Sequence, residues 1–570
     1  METCKKRILA LLPAFVCVLA LLLTGCSHDV PQPYFRASQI LILPEAGVSD
    51  IATFDPGLST DVPSVKAISM IFTGLVGLDN HNNIVGYLAQ SWDVSPDHLT
   101  YTFHLRPNLR FSDGTVLKST DVAYSIDRAL QPATKSSTAA YYLRYIKDAS
   151  LLAAGKIKTI IDDSIKTPDD TTVVITAASP VSSFLDTLTF PCSYVIERSL
   201  VAQYGNSDFA DHLNEGGGGD GPFKVQEYTH DKRIVFIPNP NYFGPLPQLM
   251  KVIFQFYPDA YTAYSAYLSN QLDEAPVPFD DGPAARTQAD FHTVPQLQIN
   301  YYAMNYNVKP FDNIDIRQAF ELAINKNVVA LAAWKNSVIP TNHIVPQGMP
   351  GYNQSLIGVD GVRISGDQSL AKTLFTAGMR QEGWTNISQV PPVTLTYSSG
   401  GNKAVRNEVF IVQQYWYDIL GVNVRAEDVD VNTLHKDIAS NHLQFWRSTW
   451  VTDYPDPQNW TTLQFGQDSR YNNMNYGQNH SSDAAAQQQI QKQLEAADLN
   501  PNTVARLQSY NSVEQSLVND VAWLPMEQAT ITYLLKACVS GYGVSSQDLI
   551  PANDWGGTYI QPYNTDCLKT

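Results

Sequence analysis

LAQSWDVSPDHLTYTFHLRPNLRFSDGTVLKSTDVAYSIDRAL, residues 88–130, is the stretch of this 570-residue chain that decides its fold. Apolar and polar side chains alternate over residues 99–106, the apolar set being Leu99, Tyr101, Phe103 and Leu105. A period of two residues predicts a strand with one buried face. Residues 112–115 supply turn chemistry, and Ser119 can cap a following helix. Its predicted inward face is Val122, Ile126, Ala129 and Leu130.

A second legible unit lies between residues 393 and 427. Alternation predicts a strand at 393–397, and an apolar spacing of three and four residues predicts a helix that ends near Leu420. Gly421 occupies the place of a left-handed C-cap, and residues 422–427 predict another strand. Strand, helix and strand at this length form a βαβ unit with a parallel sheet. Residues 443–450 predict a further strand.

Residues 88–130 also resemble the signature of the family 5 extracellular solute-binding proteins, the peptide-, dipeptide- and nickel-binding receptors of ABC importers. Asp220-Gly221-Pro222-Phe223 resembles the family's "GTGPY" crossover, with Asp in place of Thr. The glycines before it do not form a phosphate loop, because no Gly-Lys-Ser/Thr follows. Residues 315–324 resemble the family's entry into its last lobe. The resemblance spans roughly residues 54–533, with gaps around 131–215 and 340–390.

The resemblance implies an α/β fold of the type II periplasmic-binding-protein kind, with two lobes joined by a hinge and an extra inserted domain. The expected domains are lobe I (37–78, 219–304 and 520–570), the inserted domain II (79–218) and lobe III (305–519). The names lobe I, domain II and lobe III are kept for these three units.

The N-terminus has the layout of a secretory signal, in which a basic group precedes an apolar run: Lys5, Lys6 and Arg7, then residues 8–23. The run is shorter than the roughly 20 residues of a membrane span. Residues 23–26, Leu-Thr-Gly-Cys, resemble a bacterial lipoprotein cleavage box. We therefore expect a signal peptide at 1–25, lipidation of Cys26 and a short tether at 26–36. A plain signal peptide or an uncleaved anchor is the alternative.

Composition and charge narrow the class of protein. Hydrophobic residues make up 44% and charged residues 16%, which is ordinary for a globular chain. A net charge of −17 argues against nucleic-acid binding, which needs a basic surface. Cys538 and Cys567 could form a disulfide outside the cytoplasm, with unpaired thiols as the alternative. We expect no metal site and no cofactor.

Residues 450–457, Trp-Val-Thr-Asp-Tyr-Pro-Asp-Pro, follow a predicted strand and resemble the family's "W..D(Y/N)..P" motif. By resemblance, Asp453 pairs with the α-ammonium of a peptide and Trp450 helps to wall the pocket. Tyr454 adds apolar and π surface beside the cation. Ligands of open α/β sheets lie outside the carboxyl ends of strands, and a buried cation needs a fixed counter-charge. A turn-capping Asp453 and a core Trp450 are the alternatives, and Asp456 is predicted to be a turn residue.

Catalysis finds no support in the sequence. Neither Gly-x-Ser-x-Gly nor His-Glu-x-x-His occurs, and the 11 histidines are scattered. Asp428, Asp430 and Asn432 mimic the start of a calcium loop, but Thr433 replaces the required glycine. We therefore expect a receptor rather than an enzyme.

The resemblance implies a monomeric, extracytoplasmic receptor that captures an oligopeptide or dipeptide between its lobes and delivers it to ABC permease and ATPase subunits. The lipid anchor would be its one attachment to the membrane, on the periplasmic face if the host has an outer membrane. The alternatives are a receptor for a nickel chelate, an oligosaccharide or another solute, an extracytoplasmic hydrolase, and a signalling or chaperone lipoprotein that delivers no cargo.

Overall fold

The computed structural model describes residues 39–215 and 217–561. The strands are β1 (Ile40–Ala46), β2 (Val76–Leu78), β3 (Ile84–Gly86), β4 (Ala89–Val94), β5 (Thr100–Leu105), β6 (Ile165–Asp169), β7 (Thr172–Thr176), β8 (Phe223–Thr229), β9 (Arg233–Pro238), β10 (Lys251–Tyr257), β11 (Glu274–Pro276), β12 (Phe291–Met304), β13 (Val338–Pro340), β14 (Val393–Tyr397), β15 (Val424–Asp428), β16 (Phe445–Val451), β17 (Leu524–Leu535), β18 (Val539–Ser540) and β19 (Tyr559–Ile560).

The α-helices span Val62–Ile71, Ser119–Leu130, Ala139–Tyr142, Ala149–Ala153, Phe184–Thr187, Arg198–Tyr204, Ala260–Leu268, Gly282–Ala285, Ile314–Leu322, Lys326–Ala332, Gln368–Gln381, Lys403–Leu420, Val431–Ala439, Thr462–Phe465, Ala484–Asp498 and Thr503–Asn519. Short 3₁₀ helices span Pro56–Leu58, Pro132–Thr134, Leu143–Tyr145, Pro191–Ser193, Phe209–Glu215, Val359–Gly361, Ile387–Gln389, Pro457–Asn459 and Ala552–Gly557.

Lobe I is built on a four-stranded sheet in the order β1-β10-β9-β8. β1 runs parallel to β10, whereas the other pairs are antiparallel. Helix Val62–Ile71 packs on this sheet and begins at Asp61, whose carboxylate accepts the N–H of Ser64. The glycine-rich crossover passes the end of this helix. A side chain on Gly219 or Gly221 would collide with the backbone of Ile71, which explains both glycines.

Domain II confirms the predicted strand, turn and helix. β5 lies inside the antiparallel sheet β4-β5-β7-β6, and Tyr101, Phe103 and Leu105 are buried. The predicted inward face of helix Ser119–Leu130 is buried as well. The predicted cap is wrong. Lys118 holds the N-cap position, its N–H donates to Asp121, and the Ser119 hydroxyl instead donates to the Asp169 carbonyl.

Lobe III confirms the predicted βαβ unit. The unit belongs to a seven-stranded sheet of order β11-β17-β12-β16-β14-β15, with β13 paired to β17; β11, β12 and β17 come from segments expected in lobe I. β14 is parallel to both β15 and β16, as consecutive strands with helical crossovers require. Helix Lys403–Leu420 connects β14 to β15, and Gly421 ends it with φ 73° in the left-handed region. The strand predicted at 443–450 is β16.

Two long antiparallel strands, β12 and β17, connect the lobes. At one end of β17, Leu524 and Met526 belong to the core of lobe III. At its other end, Tyr533 and Leu535 belong to the core of lobe I. The fold is thus of the expected α/β type, with two lobes, a hinge and an inserted domain. Because β12 and β17 continue from one lobe into the other, the residue bounds given above for the lobes stay a proposal.

Candidate ligand-binding site

A cavity of about 410 Å³ lies where lobe I, domain II and lobe III meet. Lobe I contributes the start of helix Val62–Ile71 and the loop of residues 545–552. Domain II contributes Thr138, Tyr142 and residues 189–191. The carboxyl end of β16 contributes residues 451–453. The position agrees with the rule that ligands of α/β folds lie beyond the carboxyl ends of strands.

Asp453 is fixed at the wall of this cavity by partners from two domains. The Tyr141 hydroxyl of domain II donates to Asp453 Oδ2 at 2.7 Å. The Asn459 side chain donates to the same oxygen at 3.3 Å and accepts the backbone N–H of Asp453 at 3.2 Å. Across residues 39–215 and 217–561, no group donates a hydrogen bond to Oδ1. One oxygen of a held carboxylate is therefore free to accept from a ligand.

The charge state of Asp453 depends on its surroundings. Burial raises the pKa of this carboxyl, while the hydrogen bonds from Tyr141 and Asn459 and the charges of Arg144 and Arg470 oppose the rise. Both arginines lie over the Tyr141 ring, at 4.8 and 5.4 Å from its centroid. A cation at Oδ1 would favour the ionised carboxylate.

Trp450 and Tyr454 do not line the cavity. The indole N–H of Trp450 donates to Asn459 Oδ1 at 3.0 Å, and its ring packs edge-on against Tyr471. Tyr454 is buried in the core of domain II, and its hydroxyl donates to Gln458. Of the three predicted ligand contacts, the structure brings Asp453 alone to the cavity wall. The ligand roles of all three stay predictions. Asp456 caps the 3₁₀ helix that begins at Pro457, as expected of a turn residue.

Sequence reasoning missed the wall residues Thr138 and Tyr142 and the Asp453 partner Tyr141. Tyr141, Thr138 and Tyr142 lie in the part of domain II where the sequence shows no clear pattern. It also missed the charge of the wall: in the described part of the chain, the ionisable carboxylates that line the cavity are Asp61, Asp79, Asp453 and Asp548, and no lysine, arginine or histidine lines it. The four aspartates come from segments far apart in the sequence, so no local motif predicts that they line one cavity.

Other predicted features stand as follows. Cys26 and Cys567 lie outside the described residues, so the lipidation and the Cys538–Cys567 pairing stay predictions. Cys538 is buried and disulfide-bonded.

Asp430, from the calcium-like triplet, caps helix Val431–Ala439. Within residues 39–215 and 217–561, no group of three or more His, Cys, Asp and Glu side chains could hold a metal ion. In the same residues, no helix is long and apolar enough to cross a membrane.

Two lobes, a hinge and an inserted domain around a cavity with a fixed carboxylate define a solute-binding protein. The profile of the family described as bacterial extracellular solute-binding proteins, family 5 Middle, matches residues 83–473. The chain therefore belongs to this family, whose members are binding proteins.

Relatives agree with this assignment. The chain is 29% identical over 416 residues to the dipeptide-binding protein DppE of Bacillus subtilis, which covers 71% of this chain and 73% of that protein. The unliganded open form of the periplasmic murein tripeptide binding protein MppA superposes with a TM-score of 0.78 at 22% identity, over 92% of this chain and 97% of MppA. Peptide-bound OppA of Listeria monocytogenes gives 0.62 at 22% identity, over 92% and 99%.

Proposed function

We propose that this protein captures short peptides in the interlobe cavity and delivers them to the permease and ATPase subunits of an ABC importer. The observation that carries the proposal is Asp453, a half-buried carboxylate held by Tyr141 and Asn459 with one oxygen free at the cavity wall. A free peptide always brings an α-ammonium, which matches a fixed negative charge. The names of the relatives, a dipeptide-binding protein and a peptide-bound OppA, support the same class of ligand.

In this proposal, Asp453 pairs with the peptide's ammonium. Trp450 supports the site from behind, because its N–H holds the same Asn459 side chain that holds Asp453. Tyr454 anchors the motif in domain II. The Tyr141–Asp453 hydrogen bond spans domain II and lobe III, so we infer that ligand capture is coupled to the closure of the lobes on the β12 and β17 hinge.

The protein acts as a monomer outside the cytoplasm. A lipid on Cys26, after removal of residues 1–25, keeps it at the membrane beside its permease. A lipid chain anchors a receptor and leaves its lobes free to move. Metabolic labelling with a fatty acid checks this step: Cys26→Ala abolishes the label, and a label retained in that variant excludes the anchor.

The peptide proposal is tested by titration calorimetry of the purified chain with Ala-Ala-Ala and with its N-acetylated form. Loss of one partner of a desolvated charge pair costs about 2–5 kcal/mol, so acetylation should weaken binding at least thirtyfold. Asp453→Asn should weaken Ala-Ala-Ala to the level of the acetylated peptide. Asp468→Asn, an exposed aspartate on the same lobe, is the matched control and should leave both affinities unchanged.

Each contrary result has its own meaning. Equal binding of the free and acetylated peptides shows that Asp453 is not the ammonium partner. If no peptide binds and a sugar or a nickel chelate binds instead, the ligand is a solute other than a peptide.

A further inference from the structure

A small second cavity of about 50 Å³ lies in lobe I beside the main one. Four carboxyl and ammonium groups line it beside the phenol of Tyr542: Glu45 at the end of β1, Lys66 on helix Val62–Ile71, Glu274 on β11 and Asp548 in the C-terminal loop. We call these four residues and the space between them the acidic side pocket. Three carboxyl groups thus surround a single ammonium group.

The charges of the acidic side pocket are not matched. Lys66 Nζ forms an ion pair with Asp548 Oδ2 at 2.6 Å. Glu45 is only 6% exposed, yet its carboxyl group accepts no hydrogen bond from any residue in the two described ranges. Glu274 is half-buried and likewise accepts none there. Burying a carboxylate without hydrogen-bond donors costs free energy. The described residues supply no such donor to Glu45 or Glu274, so the donor has to come from elsewhere.

The acidic side pocket adjoins the main cavity. Ser69, Asp548, Leu549 and Ile550 line both spaces, so Asp548 stands at the boundary between them. Apolar groups, among them Leu43, Met70 and Phe254, form the remaining wall of the small cavity. This volume has room for a cationic head group or a few water molecules. A flexible chain that leaves a ligand in the main cavity could therefore end here.

We propose that the acidic side pocket receives a cationic side-chain end of the ligand, such as a lysine ammonium, so that the protein prefers peptides with a basic residue. This inference rests on the proposed peptide-binding function. The wall of the main cavity points the same way, because its charged residues within the described ranges are the four aspartates named above. A dication thus meets Asp453 at one end and, at the other, carboxyl groups that ionise as its second ammonium arrives.

The raised pKa values of two carboxyl groups in the acidic side pocket agree with a binding site for a cation. Burial, opposed by Lys66, raises the pKa of Glu45 to about 7, with Asp548 and Asp61 adding to the rise. Burial likewise raises the pKa of Glu274 to about 8, with Lys66 opposing and Asp548 and Glu45 contributing. These two carboxyl groups are therefore partly protonated near neutral pH. Arrival of an ammonium group favours the ionised carboxylates and should release protons to the solvent.

The test compares lysine with norleucine, which keeps the four-carbon chain and lacks the ammonium. Titration calorimetry on the full chain uses three peptide pairs, with the variable residue first, second or third and alanine elsewhere. We expect lysine to bind at least tenfold more tightly than norleucine at one position. Glu45→Gln should reduce this ratio below threefold and leave the norleucine peptide unchanged. Glu495→Gln, at an exposed site, should keep the full ratio.

A second readout is the number of protons released, measured at pH 7 in two buffers of different ionisation enthalpy. The preferred lysine peptide should release protons, and its norleucine partner should not. The inference is overturned if the lysine peptide binds no more tightly than the norleucine peptide at any of the three positions. It is also overturned if the preference for lysine survives in Glu45→Gln. In both cases the peptide-binding function stands. Failure of all six peptides overturns the proposed function itself. Glu45-dependent binding of Ca²⁺ without peptide also overturns the inference, because the pocket would then be a metal site.

Discussion

The Glu408 network of lobe III and the acidic side pocket of lobe I differ in how completely their carboxyl groups are bonded. In lobe III, Glu408 is fully buried and accepts hydrogen bonds from Arg447, Tyr302 and Trp334 at 2.7–3.2 Å. In lobe I, Glu45 is almost as deeply buried and accepts none from the described residues. Glu408 is 0% and Glu45 6% exposed, so the comparison mainly reflects the partners.

For Glu408 and Glu45, which are similarly buried, the direction of the pKa shift follows the partners. Burial alone would raise the pKa of Glu408, but the charge of Arg447 and the hydrogen bonds hold it below its usual value. The neighbouring Glu527 has its pKa raised well above the usual range, by burial and by the negative charge of Glu408. In this network, the positive charge of Arg447 is thus compensated by one ionised carboxylate, that of Glu408. The pair is structural, whereas the unpaired carboxyls of lobe I are available to a ligand.

The largest effect should follow from breaking the complete network. Arg447→Met leaves Glu408 buried without its counter-charge, and loss of one partner of a buried ion pair costs about 3–5 kcal/mol. Urea unfolding should show this loss of the free energy of unfolding. Arg425→Met, at an exposed arginine paired with Glu427, is the control and should cost about 0–1 kcal/mol. If both variants lose equally little, the two lobes do not differ as argued.

A smaller loss should follow from removing a single donor. Tyr302→Phe deletes the hydroxyl that donates to Glu408 at 2.9 Å and keeps the aromatic packing against Trp416 and Phe445. A hydrogen bond to a charged group contributes about 1.5–3 kcal/mol, so we expect a loss in that range by the same unfolding measurement. Tyr417→Phe, on an exposed helix face, should leave stability unchanged. An unaltered Tyr302→Phe variant would show that the network tolerates a missing donor.

The two regions also differ in how far the sequence predicts them. The βαβ unit of lobe III follows from local periodicity, because the alternation at β14 and the spacing along helix Lys403–Leu420 each lie within a few turns of chain. The position of Asp453 follows from the end of a predicted strand. The orientation of Tyr454 does not, since β16 ends at Val451 and the turn that follows directs Tyr454 into the core of domain II.

The acidic side pocket could not be predicted from any single stretch. Its four residues come from β1, a helix, β11 and a loop near the C-terminus, more than 500 positions apart at the extremes. Only the sheet that brings β1 beside β10, and the return of the chain along β17, places them together. The same holds for Tyr141, whose contact with Asp453 joins residues separated by 312 positions.

A change of opposite sign should follow from neutralising the unpaired carboxyl. Glu45→Gln removes a buried charge without removing a hydrogen bond, so at pH 8 it should raise the free energy of unfolding by about 1 kcal/mol. Thermal or urea unfolding without ligand checks the sign. Glu495→Gln, at an exposed position, should change stability by less than about 0.5 kcal/mol. A loss as large as that in Tyr302→Phe would mean that Glu45 has a structural partner after all.

The smallest difference is expected for the same variant at pH 5. Because the pKa of Glu45 is raised from its ordinary value of 4.5 to about 7, the folded chain binds a proton that the unfolded chain releases. The stability that this proton contributes is complete below pH 4.5 and is lost as the pH rises through 7. At pH 5 the wild-type carboxyl is already neutral when folded, so the gain of Glu45→Gln should shrink to a few tenths of a kcal/mol. A gain that is constant from pH 5 to pH 8 would assign it to packing rather than to charge, and the contrast between the two lobes would then lose its electrostatic basis.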